Sequence, residues 1–150
     1  MPVTKEERED ALASACMQVK RVLPEFTTKF QNAYSENGFY RPIDNVEWTT
    51  GFWTGEIWLA YEYGGEDVLL KAAEIQMQDF LHRIEQKICV DHHDMGFLYT
   101  PSCVAGYKLT GSGTGKRAAL LAADQLKSRF RKREHLSKRG ALWESRKITG

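Results

Sequence analysis

Residues 91–94, Asp91-His92-His93-Asp94, set two carboxylates and two imidazoles in a row, with Cys89 just upstream. Such groups serve either as metal ligands or as proton carriers and hydrogen-bond partners for an anion. Adjacent side chains in a loop point apart, so at most two of the four bind one ion easily, and no HExxH or CxxC spacing supports a metal. An Asp and a His set between buried helices suit general acid–base work on an anionic ligand. The plain alternative is that Asp91 and Asp94 cap the helix starting near Phe97. Upstream, WTTGFWTGEIW at 48–58 carries Trp48, Trp53 and Trp58, with Gly51 and Gly55 four apart. An indole face stacks on the apolar C–H face of a sugar ring, and the same rings equally serve as core. Small residues at that spacing admit close approach of a second element. GSGTGK at 111–116 is not a phosphate loop: that pattern needs Gly where Thr110 stands and Ser or Thr where Arg117 stands.

Helices must position these groups. Thr4 and Glu7 form a capping box, and Ala11, Leu12, Ala15, Val19 and Val22 follow near a 3.6-residue period. Pro24 interrupts; Phe26, Phe30 and Tyr34 then suggest a second helical stretch, ended by Asn37-Gly38, with 38–47 as a loop. From about Thr50 to Tyr63 apolar residues cover most of the circumference, the mark of a buried helix, and Gly64-Gly65 closes it. Glu66 to about Lys87 reads as a longer amphipathic helix, 89–96 as a polar loop and 97–109 as apolar helix. Gly111–Gly115 reads as a flexible turn before a last helix over 116–130. No stretch alternates convincingly with period 2. The class expected is all-α, built from helix pairs recurring about every 45 residues, within repeat or toroid spacing.

Composition narrows the classes. The chain has 150 residues, 42% hydrophobic and 27% charged, with four Trp, six Tyr and seven Phe, so it reads as globular and not disordered. No apolar run reaches membrane-span length, and MPVTKEERED has no apolar signal core. Cys16, Cys89 and Cys103 are too few and too scattered for a disulfide framework, and a reduced, cytoplasmic protein is expected. Charge divides the chain. Residues 1–126 hold 12 Lys/Arg against 18 Asp/Glu, a net of −6, while residues 127–150 hold 9 against 2, a net of +7. The basic tail has the charge for non-specific nucleic-acid attraction but one aromatic after Phe130 and no recognised module.

Together, WTTGFWTGEIWLAYEY at 48–63 and DHHDMGFLYTPS at 91–102, in that order and at that separation, resemble the unsaturated glucuronyl hydrolases, glycoside hydrolase family 88. The likeness runs through the helix at 116–130. It implies an (α/α)6 toroid of which this chain holds an incomplete part, roughly the first five or six helices, over residues 1–130. It implies a substrate class too: unsaturated disaccharides left by lyases on glycosaminoglycans, with no metal or other cofactor, no nucleic acid and no membrane. The reaction implied is not the ordinary two-carboxylate displacement. An aspartic acid protonates C4 of the C4=C5 double bond, water adds at C5, and the hemiketal collapses to release the neighbouring sugar. By the same resemblance Asp94 is one of two active-site aspartates, holding the unsaturated uronate and influencing its partner's protonation. Two carboxyls in one apolar pocket drive their pKa values apart. His93 is a substrate-contacting histidine, Trp48 a pocket-lining aromatic, and Phe52 stands beside it.

The second aspartate lies further along family sequences, beyond the end of this chain. The join near Phe130 suggests why. A back-translation of 131–144 read one base earlier yields FIQAWG, which resembles the family segment after this helix. Residues 131–150 are therefore expected to be out of frame, the basic tail an accident, and the chain an inactive fragment. Half a ring would expose a long apolar flank, so self-association is expected. The alternative is a non-catalytic helical interaction module.

Overall fold

The computed structural model describes residues 2–131 and 136–137. Helix α1 spans Lys5–Phe26, strands β1 and β2 span Phe30–Glu36 and Phe39–Ile43, α2 spans Thr50–Gly64 and α3 spans Asp67–Glu85. Next come α4, Met95–Tyr99, a π-helical stretch at Thr100–Val104, α5 at Ala105–Thr110 and α6 at Gly113–Ser128. A short pairing of β3, Phe130–Arg131, with β4, Leu136–Ser137, follows. With α4, the π stretch and α5 taken as one bent rod, the described residues hold five helices, as a partial helical toroid requires. The out-of-frame reading of 131–150 falls almost wholly outside the described residues.

Thr4 caps α1 as its spacing foretells. Its Oγ1 accepts from the Glu7 amide at 3.2 Å, and its own amide donates to Glu7 Oε2 at 2.8 Å. Pro24 does not end the helix. It stands in the last turns, where a missing N–H costs one intrahelical bond, and the burial of Val19, Leu23 and Phe26 carries the helix past it.

The second helical stretch expected at 26–34 is a β-hairpin instead. Asn37 and Gly38 take φ of +53° and +80°, positive at both central positions as a type I′ turn requires. The pair is a hairpin turn and not a helix stop. The ladder runs from Phe30 opposite Ile43 to Glu36 opposite Phe39, with an irregularity between Gln31 and Ser35. Pro42, expected in a loop, is tolerated in β2 because every strand of a two-stranded ribbon is an edge. Phe30, fully buried, packs edge-on against Phe80 and anchors the hairpin.

Helix α2 is the centre of the core. Trp53, Ile57, Trp58 and Ala60 are buried, and so are Thr50, Thr54, Gly51 and Gly55. Its buried indole and hydroxyl groups are met from neighbouring segments. The Trp53 indole N–H donates to the Phe26 carbonyl at 2.9 Å, and Thr54 Oγ1 donates to Gln76 Oε1 at 2.6 Å. Gln76 Nε2 returns to the Phe26 carbonyl at 2.6 Å. The Trp58 indole N–H donates to the Ser102 carbonyl at 2.8 Å, inside the π stretch opened by Pro101. The two small residues do admit a second element. A Cβ on Gly51 would stand 2.3 Å from the Phe97 carbonyl oxygen, and one on Gly55 2.8 Å from Pro101 Cβ.

The GSGTGK segment is a helix junction. Gly111, at φ +72°, caps α5, and Ser112 caps α6 by accepting from the Gly115 amide at 3.3 Å. Helix α6 therefore begins at Gly113, three residues before the expected start, and what reads as a flexible turn is largely its first turn. Among the described residues no helix is long and apolar enough to cross a membrane.

Candidate functional site

Helix α3 ends in a Schellman turn. The Ile88 amide donates to the Arg83 carbonyl at 2.9 Å, the Lys87 amide donates to the Ile84 carbonyl at 3.3 Å, and Lys87 takes φ +55°. Cys89, at φ +46°, is a second left-handed residue on the way into the 91–94 loop. Asp94 then occupies the N-cap position of α4. Its backbone carbonyl accepts from the Phe97 amide at 2.9 Å, yet its side chain makes no cap hydrogen bond. The capping explanation for Asp94 thus fails, and the carboxylate is left for other partners.

Its neighbours are the two histidines. Asp94 Oδ1 lies 3.3 Å from His93 Nε2 and Oδ2 lies 3.6 Å from His92 Nδ1, with the Asp94 side chain about one-fifth exposed. The His92 tautomer follows from its contacts. Its Nε2 is 2.9 Å from the Cys89 carbonyl, which only accepts, so Nε2 carries the proton. Its Nδ1 accepts the Asp94 amide at 3.2 Å and is therefore unprotonated. His92 is neutral, and burial holds its pKa below the usual histidine value. It fixes the turn that presents Asp94 and does not pair with it by charge. His93 stands outward, more than half exposed, beside the same carboxylate. Asp91 belongs elsewhere. It pairs with Arg129, whose side chain is buried at the end of α6. Among the described residues no three of His, Cys, Asp and Glu gather as a metal cage.

The tryptophans divide likewise. Trp53 and Trp58 are core, whereas Trp48, before α2, is 44% exposed. It meets Phe52, in the first turn of α2, at a ring-centroid distance of 6.5 Å and Phe97, in the first turn of α4, at 6.2 Å. Phe52 and Phe97 are 5.6 Å apart. Three half-exposed rings thus form one aromatic wall, and the amide of its third residue, Phe97, donates to the Asp94 carbonyl. The close packing of Gly51 onto the 97–98 backbone brings the two helix starts together. Trp48 and Phe52 thereby reach the first turn of α4, the helix that Asp94 precedes and whose Phe97 amide bonds to the Asp94 carbonyl. Phe97 is the wall residue that sequence reasoning missed. Its signal was a large aromatic one turn after Asp94, at a position read as ordinary helix. Arg83, which joins the two loops from beneath, gave no signal beyond its place on an amphipathic helix.

No family profile matches this chain. Curated relatives do. Over 131 residues it is 43% identical to the unsaturated chondroitin disaccharide hydrolase of Streptococcus pneumoniae, and over 123 residues 34% identical to the unsaturated glucuronyl hydrolase of Bacillus sp. strain GL1. These alignments take in 87% and 82% of this chain but 33% of each relative. The crystal structure of unsaturated glucuronyl hydrolase from Streptococcus agalactiae superposes with a TM-score of 0.86 at 41% identity, covering 88% of this chain and 33% of that one. A variant of that enzyme, solved complexed with dGlcA-GalNAc6S, gives 0.84 at 42% identity. On sequence and on backbone together, this chain is similar to the unsaturated glucuronyl hydrolases and spans about one third of their length.

Proposed function

We propose that residues 1–130 are the N-terminal part of a glycosidase that hydrates the C4=C5 double bond of unsaturated glucuronyl residues in glycosaminoglycan disaccharides. The site supplied here is the mouth of the uronate pocket. The single observation that carries this reading is the Trp48–Phe52–Phe97 wall, built onto the helix start where Asp94 holds the N-cap position without a side-chain cap. In the proposed reaction a proton is added at C4 and water at C5. The resulting hemiketal opens, and the neighbouring sugar leaves with a hydroxyl. Asp94 and His93 hold the uronate, and the aromatic wall takes the apolar ring faces. The proton donor is a second carboxyl, outside the part of the family that this chain matches.

Binding tests the pocket. Isothermal titration with unsaturated chondroitin disaccharide is expected to show sugar affinity in the 150-residue chain. Trp48→Ala is expected to weaken it about tenfold, equivalent to about 1.4 kcal/mol. His93→Ala is expected to act in the same direction. Equal affinity in wild type and both variants would sink the assignment. The three free thiols fit a reducing compartment, so a cytoplasmic location is part of the proposal.

A second reading has its own observation. Leu12, Leu59 and Tyr63 are all more than half exposed and line, with Cys16 and Glu56, a groove of about 400 Å³ between α1 and α2. Another groove, of about 410 Å³, runs along the other side of Leu59 to Pro101 and Leu109. A soluble chain with such a flank is suited to helical interaction, including self-association.

A further inference from the structure

Beneath the site, one guanidinium touches both loops. Arg83, near the end of α3, is 1% exposed. Its Nε donates to the Ile88 carbonyl at 3.2 Å. Nη1 donates to Asn45 Oδ1 at 2.8 Å, the Glu47 carbonyl at 3.0 Å and Thr50 Oγ1 at 3.1 Å. Nη2 donates to the Val46 carbonyl at 3.1 Å and the Cys89 carbonyl at 2.9 Å. Five N–H groups thus serve six acceptors, with one N–H shared.

None of these acceptors is a carboxylate. The carboxylates of Asp79 and Glu47 attract the guanidinium through space without bonding to it, and burial still pushes its pKa down, so an apolar side chain of similar volume would fill the space at less cost. What the charge gathers is specific. The carbonyls of Val46 and Glu47 and the side chains of Asn45 and Thr50 bracket Trp48. The carbonyls of Ile88 and Cys89 lead into the 91–94 loop. The Cys89 carbonyl also receives His92 Nε2–H, and His92 Nδ1 receives the Asp94 amide. A continuous chain of hydrogen bonds therefore runs from the guanidinium to the turn that presents Asp94. The left-handed backbone at Lys87 and Cys89 persists only where surrounding contacts over-determine it, and Arg83 supplies several of them.

We propose that Arg83 is the positioning residue of this site, its planar fork setting the separation between the Trp48 wall and the Asp94 turn. This rests on reading Trp48 and Asp94 as one sugar pocket. Arg83→Lys keeps the charge but replaces the fork with a point ammonium that cannot span both loops. Thr50→Val removes one acceptor at nearly constant shape and serves if Arg83→Lys does not fold. In the ¹⁵N-labelled 150-residue chain, the Trp48 indole resonance and the His93 and Asp94 amide resonances are expected to shift together in either variant. The Trp53 and Trp58 indole resonances are expected to stay in place, because their partners, the Phe26 and Ser102 carbonyls, are not among the acceptors of the fork. Affinity for unsaturated chondroitin disaccharide is expected to fall about tenfold in Arg83→Lys. If the resonances of one loop move without those of the other, or neither moves while the melting temperature falls, Arg83 is only a buttress and the proposal is overturned. If wild type binds no disaccharide, the pocket reading falls instead, and the resonance shifts still decide whether Arg83 couples the loops.

Discussion

His92 shows how one side chain in a polar run takes a role that its neighbours do not share. It donates to a carbonyl with one nitrogen and accepts an amide with the other, so the fold needs it neutral. Burial lowers its folded-state pKa below the ordinary histidine value of 6.5, with Arg83 and Arg129 acting in the same direction and Asp94 and the Cys89 carbonyl opposing. The unfolded chain therefore binds a proton more readily than the folded one as pH falls through about 6.5. Stability attributable to this group is present above that value, is lost on acidification, and levels off below the folded pKa. We expect the drop in melting temperature between pH 7.5 and pH 5.5 to be smaller in His92→Gln than in wild type. An equal drop in both would show that His92 is protonated in the fold. Asp94 and His93 follow the opposite course: the Asp94 side chain caps nothing, and the half-exposed His93 stands beside it.

Helices α2 and α4 meet without side chains between them, and this contact builds the site. A Cβ at residue 51 would meet two backbone carbonyls and a Cα, at 2.3, 2.4 and 2.7 Å, none of which can rotate away. A Cβ at residue 55 would meet chiefly the edge of the Pro101 ring, at 2.8 Å. Overpacking of this kind costs about 1–3 kcal/mol or more. Gly51→Ala is therefore expected to destabilise the chain more than Gly55→Ala, by chemical denaturation, and to weaken disaccharide binding as well, since it pushes Trp48 and Phe52 away from Phe97. The reverse order would mean that the α2–α4 contact yields where the Pro101 contact does not. The hairpin carries a different lesson. Asn37-Gly38 is a strong signal for a tight turn, but its flanking strands bury little besides Phe30. Their sequences therefore show no alternation, and the same dipeptide passes for a helix stop.

The molecule as a whole leaves the flank of α1, α2 and α5 open, with Leu59 two-thirds exposed at the centre of two grooves. We expect sedimentation to show concentration-dependent association that Leu59→Lys suppresses; a monomer at all concentrations would contradict this. We also expect no loss of double-bond absorbance when this chain alone is mixed with unsaturated chondroitin disaccharide. Turnover abolished by Asp94→Asn would instead show that no second carboxyl is required. By itself the sequence determined the helical class, the capping box, the burial of α2, the close approach at Gly51 and Gly55, and the kinship carried by residues 48–63 and 91–102. These are written in local periodicity and in runs long enough to be specific. Tertiary structure alone decided which of Trp48, Trp53 and Trp58 faces solvent, that Asp91 goes to Arg129 while His92 turns to the Cys89 carbonyl, and that Arg83 ties both loops. All but the His92 turn depend on contacts between residues tens of positions apart, and spacing along a chain fixes a side chain's angle on its own helix, not what stands opposite it.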